Sequence, residues 1–144
     1  MIEQDTIKLL RECDAGIKMG IDSIEDVIER VKNRDMRNIL AKCRQEHDRL
    51  GVEIRELLDR YKDDGKEPAF MAKSMSHMKT EMKLGLDKCD ATVADLMTDG
   101  CNMGVKSLSR YLNQYAAADE KSKDICKKLI KLEEQLAVDM RDYL

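Results

Sequence analysis

The residues of this chain best suited to chemistry are one histidine and three glutamates. Glu46 and His47 are adjacent, and Glu133 and Glu134 form a second acidic pair near the end of the chain. Imidazole nitrogen and carboxylate oxygen together form a donor set that iron or manganese accepts inside helical bundles. The sequence contains no Ser/His/Asp set, no Gly-rich phosphate loop and no well-spaced acid pair. The balance therefore favours a protein without a catalytic role.

Helical periodicity places these residues on long amphipathic elements. Apolar residues recur at steps of three and four, which predicts helices over residues 5–32 and 35–61, capped by Asp5 and Asp35. The turn between them, KNRD, is so short that the two helices must form an antiparallel hairpin. His47 lies on the apolar stripe of the second helix.

The second half of the chain repeats the first. HDRLGVEIRELL, which begins at His47, aligns with EEQLAVDMRDYL, which begins at Glu133, at an offset of 86 residues (133 − 47). GIKMG, which begins at Gly16, aligns with GCNMG, which begins at Gly100, at an offset of 84 residues (100 − 16). Two matching blocks in the same order indicate that a helical hairpin was duplicated. The second hairpin is expected over residues 90–143.

A crossover must join the two hairpins. A helix of about 27 residues is ~40 Å long, whereas the seven residues of KDDGKEP span only ~24 Å when extended. Residues 62–88 must therefore carry the chain back along the bundle, and we expect a helix from about Ala69 to Gly85 within them. Its apolar face would consist of Met71, Met75, Met78 and Met82.

The sequence thus predicts an all-α fold: a four-helix bundle of two repeated hairpins with a helical crossover. Residues 1–144 form a single domain in this interpretation. Its parts are hairpin 1 (residues 5–61), the crossover (62–88) and hairpin 2 (90–143), in which Asp119 caps the last helix.

Two helical hairpins joined by a long crossover resemble the ferritin-like superfamily, and within it a small bacterial branch of domains without an assigned function. CDAGIKMG resembles the DG-type element in the first helix of that branch, and the final helix resembles its D..S..L...E pattern. The residues that carry the second similarity are Asp119, Ser122, Leu129 and Glu133. The resemblance covers nearly the whole chain and implies a ferritin-like four-helix bundle. In the iron-binding oxidases of the superfamily, each first helix supplies a Glu and each second helix supplies Glu-x-x-His.

The chain departs from that ligand pattern. Glu-x-x-His is absent, and the first helices offer Gly20 and Gly104 at the level where ligands would be required. One interpretation makes His47 a buried imidazole that is hydrogen-bonded to a carboxylate such as Glu133, with no cofactor. The other is a reduced iron or manganese site. Its candidate ligands are Glu46, His47, Glu133 and Glu134.

Four helical glycines are the other unusual feature: Gly16, Gly20, Gly100 and Gly104. Each glycine costs a helix ~1 kcal/mol relative to alanine, so the four together cost ~4 kcal/mol. We expect the smooth helix faces at these glycines to let two helices, or two subunits, approach closely, which would compensate for this cost. The alternative is that the glycines have no packing role and are inherited residues that the fold tolerates.

Composition excludes several classes of function. Acidic and basic residues are interspersed, with a net charge of −3, so the chain has no basic patch for nucleic acid. Aromatic residues make up only 3%, so it also lacks surfaces on which bases could stack. No apolar run reaches the ~18–20 residues of a membrane span, and the N-terminus has no secretory signal. The five cysteines form no C-x-x-C pair, which favours a reduced, cytoplasmic protein.

These observations favour a non-catalytic interaction or self-association module, whose partner is another protein or a second copy of the chain. The alternative is a storage or redox protein that binds iron or manganese at the reduced site.

Overall fold

A computed structural model of the chain describes residues 2–68 and 89–144. These residues form four long α-helices and a final 3-10 turn: α1 (Ile2–Ile28), α2 (Arg34–Arg60), α3 (Asp90–Gln114), α4 (Glu120–Met140) and the turn Arg141–Tyr143. No strand occurs in either described stretch. The all-α class and the four predicted bundle helices are confirmed. The predicted crossover helix, with its methionines at 71, 75, 78 and 82, lies outside the described residues.

The first hairpin begins earlier than the sequence predicts. α1 starts at Ile2, so Asp5 lies inside the first turn and is not the N-cap; its carboxylate accepts a hydrogen bond from the backbone N–H of Ala117 at 3.1 Å. α2 is capped by Asn33 and not by Asp35. Asn33 has extended backbone angles, and its side-chain oxygen accepts the N–H of the third following residue at 2.9 Å. Both predictions were wrong because an earlier residue supplies the helix start.

The second hairpin begins as predicted. α3 starts at Asp90, directly after Cys89 in extended conformation. The Asp119 carboxylate caps α4 by accepting the backbone N–H of Ser122 at 2.8 Å.

Contacts at the two ends of the bundle fix the direction of each helix. The backbone N–H of Asn33, in the turn between α1 and α2, donates to the Asp90 carboxylate at 2.8 Å. At the opposite end, the backbone N–H of Asp119 donates to the Thr6 hydroxyl at 2.9 Å. α1 and α4 therefore run parallel, and α3 runs parallel to α2. The end of α2 and the start of α3 therefore lie at opposite ends of the bundle.

α1 and α4, which face each other diagonally across the bundle, pack more closely than α2 and α3, the other diagonal pair. Each helix packs on two neighbours in the order α1, α2, α4, α3, and α1 also contacts α4 directly, far more than α2 contacts α3. Two glycines of α1 lie on the close diagonal. A Cβ atom added at Gly16 would be 3.7 Å from Leu129, and one added at Gly20 would be 3.6 Å from Glu133. A Cβ atom at either position would make only ordinary van der Waals contact with α4, so both glycines simply lie where α1 and α4 pack closely.

The apolar core is divided into two clusters. One contains residues near the end where α1 and α4 begin: Ile17, Leu50, Leu108 and Leu129 belong to it. The other lies towards the opposite end and includes Ile24, Cys43, Cys101 and Leu136. On each helix one position falls between the two clusters: Gly20, His47, Gly104 and Glu133. We call these four residues the central polar layer. Among the described residues, no helix combines the length and the apolar character that crossing a membrane requires.

Candidate functional site

The central polar layer is built around His47. This residue projects from α2 into the bundle with 1% of its surface exposed. Its Nδ1 lies 2.8 Å from the backbone oxygen of Cys43, and its Nε2 lies 2.9 Å from Oε1 of Glu133 on α4. Both partners are hydrogen-bond acceptors. A neutral imidazole carries only one N–H, so only an imidazolium can donate to both partners while Glu133 is ionised.

The electrostatics agree with this hydrogen-bond count. Burial by itself lowers the pKa of His47, but the interactions of its ring with the Cys43 thiol and the Glu133 carboxylate outweigh it and raise that pKa to about 10. The layer therefore holds a buried imidazolium–carboxylate pair at neutral pH. Such a pair adds little net stability, yet removing one partner costs ~3–5 kcal/mol because the other charge is left uncompensated.

Two thiols flank the ion pair. The sulfur of Cys43, one turn before His47, lies 3.6 Å from the imidazole Nδ1. Cys101 approaches from α3; burial raises the pKa of its thiol, and the charge and hydrogen bond of Glu133 raise it further. Cys101 is therefore a protonated donor to Glu133. The sequence interpretation missed both thiols, although Cys43 is on the same helical stripe as His47 and Cys101 is one turn before Gly104.

The four predicted helix-contact glycines have different surroundings. A Cβ atom at Gly20 would be 2.8 Å from Cδ2 and Nε2 of His47, a distance that real Cβ contacts do not show. At Gly104 it would be 3.5 Å from Glu133, and at Gly16 the nearest side chains would be at ordinary van der Waals distance. Gly100 has nothing within 4 Å. Only Gly20 is sterically required, because it makes room for the imidazole.

The predicted metal ligands are brought together only in part. The structure pairs His47 with Glu133, whereas Glu46 is half-buried and Glu134 is exposed. Within residues 2–68 and 89–144, no group of three or more His, Cys, Asp or Glu side chains is placed to hold one metal ion. Both nitrogens of His47 are also committed to hydrogen bonds. The described residues therefore do not fit the dinuclear iron site that the resemblance implies.

A second buried charge lies where the chain leaves α2. Asp14 of α1 is 3% exposed and accepts hydrogen bonds from the Lys66 backbone N–H at 3.0 Å and from Lys18 Nζ at 2.9 Å. Gly65, with φ of +84°, lets the chain pass so close that a Cβ there would be 2.3 Å from the Asp14 carboxylate. The Lys66 ammonium then reaches Glu12. Glu12 and Asp14 point about 200° apart around α1. Because the segment around Lys66 contacts both carboxylates, it crosses the outer face of α1 and is anchored there.

An exposed apolar surface lies on α3. Met103 has 69% of its surface exposed, and Gly100, one turn earlier, is also exposed: a Cβ atom added there would meet nothing within 4 Å. Met103 directly precedes Gly104 of the polar layer, so this surface and the layer lie on different faces of one helix turn.

No protein-family model, curated protein or solved structure matches this chain.

Proposed function

We propose that this chain is a ferritin-like helical bundle that catalyses no reaction and acts by self-association. The observation that carries the proposal is the composition of the central polar layer. At the level where ferritin-like oxidases hold iron, His47 and Glu133 are bonded to each other, and Gly20 and Gly104 take the remaining two positions. A layer of this kind packs helices together and leaves no convergent set of ligands.

The order of the helices supports the ferritin-like part of the proposal. The first antiparallel hairpin ends at one end of the bundle and the second begins at the other, the arrangement that this superfamily requires. The N-caps support a duplicated hairpin. Asn33 and Asp119 stand 86 residues apart (119 − 33), the same offset as His47 and Glu133, and each accepts the N–H of the third following residue.

The surface of α3 around Gly100 and Met103 is the proposed contact. A methionine side chain adapts to irregular surfaces, and a neighbouring glycine lets another helix approach its backbone. We infer that the partner is a second copy of the chain, because a two-fold contact that pairs this surface with itself is the commonest way for soluble proteins to associate.

Sedimentation velocity and light scattering on the untagged protein test this proposal. We expect a species of twice the chain mass of 16.6 kDa, and Met103→Glu should convert it to the monomer. The matched control is Val52→Glu, which places the same charge at a 47%-exposed apolar position of α2 and should leave the dimer intact. A wild-type protein that remains monomeric at high concentration would overturn self-association.

A reduced iron or manganese site is the second candidate function. It is favoured by the buried pair of His47 and Glu133 with the thiols of Cys43 and Cys101 beside it. Metal analysis of untagged protein separates the two proposals. If the protein binds about one or two equivalents of iron or manganese and His47→Ala loses them, the non-catalytic interpretation is refuted. If the folded protein contains no metal, the iron or manganese site is refuted.

A further inference from the structure

The register of α1 against α4 brings two cysteines face to face. Thr6 contacts Asp119 at the start of the two helices, an offset of 113 residues (119 − 6). Gly20 lies against Glu133 in the middle of the bundle at the same offset (133 − 20). Because the two helices are parallel and the offset is constant, residues 113 apart lie at the same level. Cys13 and Cys126 have this separation (126 − 13).

Their side chains lie in the same part of the core. Cys13 and Cys126 both belong to the cluster around Ile17 and Leu129, and both are fully buried. The Cys126 sulfur also lies 3.8 Å from the backbone oxygen of Leu108, which can accept its proton.

We propose that Cys13 and Cys126 are a redox pair, which a small-molecule disulfide oxidises to an intramolecular disulfide that locks α1 to α4. The thiolate of Cys126 attacks the oxidant RSSR, which forms a mixed disulfide and releases RS⁻. The Cys13 sulfur then attacks the Cys126 sulfur and releases the second RS⁻. The two cysteines lose two electrons and two protons, and the oxidant is reduced to two thiols.

The local electrostatics favour Cys126 as the attacking residue. The interaction between the two thiols lowers the pKa of Cys126, and the same interaction together with burial raises the pKa of Cys13. The thiolate is the reactive form of cysteine, so Cys126 is the attacking residue and Cys13 the resolving one. Since both thiols are fully buried, oxidation proceeds through local opening of the bundle and is slow.

The remaining cysteines serve as internal controls. Cys43 and Cys101 lie on α2 and α3, across the open diagonal, and Cys101 is held as a protonated donor to Glu133. Cys89 is exposed at the start of α3 and would react first with any added oxidant. It is therefore replaced by serine in every sample, so that cross-links between molecules do not obscure the result.

The test treats folded Cys89→Ser protein with oxidised glutathione, blocks the remaining thiols and maps disulfides by peptide mass spectrometry. We expect the intact chain to lose the mass of two hydrogens and to yield one linked peptide pair containing Cys13 and Cys126. Closing a loop of more than 100 residues should raise the melting temperature by roughly 10 °C. Reduction should reverse both changes.

Two variants complete the design. Cys126→Ala should abolish the link, and its folding is checked by circular dichroism. The matched control, with Cys43 and Cys101 both replaced by alanine, should still form it. The proposal is overturned if the folded Cys89→Ser protein yields no Cys13–Cys126 peptide, or if the main product is a link between Cys43 and Cys101. The map of the Cys89→Ser protein alone is decisive, even if a further variant fails to fold.

Discussion

Replacing Gly20 with alanine should destabilise this protein, although the same change elsewhere in a helix stabilises it. Alanine is favoured over glycine in a helix by ~1 kcal/mol. At position 20, however, the new Cβ would lie 2.8 Å from Cδ2 and Nε2 of His47. The imidazole cannot move aside freely, because both of its nitrogens are held by hydrogen bonds to Cys43 and Glu133.

The magnitude follows from these two effects. Breaking a buried ion pair costs ~3–5 kcal/mol, and the helix propensity of alanine offsets ~1 kcal/mol of it. We therefore expect Gly20→Ala to lower the free energy of unfolding by about 2–4 kcal/mol. The assay is urea denaturation followed by far-ultraviolet circular dichroism, with the dependence on urea compared between variants.

Gly100→Ala is the matched control. Its Cβ would meet nothing within 4 Å, so only the propensity acts and the protein should become more stable by ~1 kcal/mol. A second comparison isolates the imidazole as the cause. In a His47→Ala background the clash is absent, and Gly20→Ala should then stabilise by a similar ~1 kcal/mol. Equal stabilisation by Gly20→Ala and Gly100→Ala in the wild-type chain would refute this reasoning.

Three further predictions concern the ion pair, a helix cap and the exit from α2. The pKa of His47 is raised from 6.5 to about 10 on folding, so its contribution to stability is complete below pH 6.5 and is lost as the pH rises to 10. Urea denaturation across this range should show a decline in the free energy of unfolding, and His47→Gln should lack that decline. Asn33→Ala should lower the free energy of unfolding by ~1 kcal/mol in thermal or urea denaturation, whereas Asp35→Ala, beside the cap, should change it far less. Gly65→Ala would place a Cβ atom on a residue with positive φ and only 2.3 Å from Asp14, so it should lower the melting temperature by several degrees. An unchanged melting curve would contradict the anchoring of the segment around Lys66 on α1.

The sequence predicted the helices well because their signals are local. Apolar steps of three and four identify α1 to α4 to within a few residues, and Asp119 is recognisable as a cap from its position before an amphipathic run. The cap of α2 was misplaced because Asn33 and Asp35 are both good capping residues. Only the backbone angles distinguish which of them starts the helix.

The candidate site was predictable only where the repeat revealed it. His47 and Glu133 occupy equivalent positions of the two aligned sequence blocks, and this equivalence was enough to suggest their pairing. Cys101 was not predictable in the same way, because its contact with Glu133 depends on the rotation of α3 within the bundle. The meeting of Cys13 and Cys126 likewise depends on how α1 is aligned with α4, a relation between helices in different halves of the chain.

The central polar layer also explains why this bundle adopts one alignment of its helices. The two clusters on either side are lined largely by aliphatic side chains, which would tolerate a shift of one helix along another at modest cost. A shift of α4 by one turn would set Leu129 or Ala137 opposite His47 and leave Glu133 in an apolar layer. An uncompensated buried charge costs ~3–5 kcal/mol, a large share of the ~5–15 kcal/mol that stabilises a domain. The single ion pair, with Gly20 making room for it, therefore selects the native alignment against its neighbours.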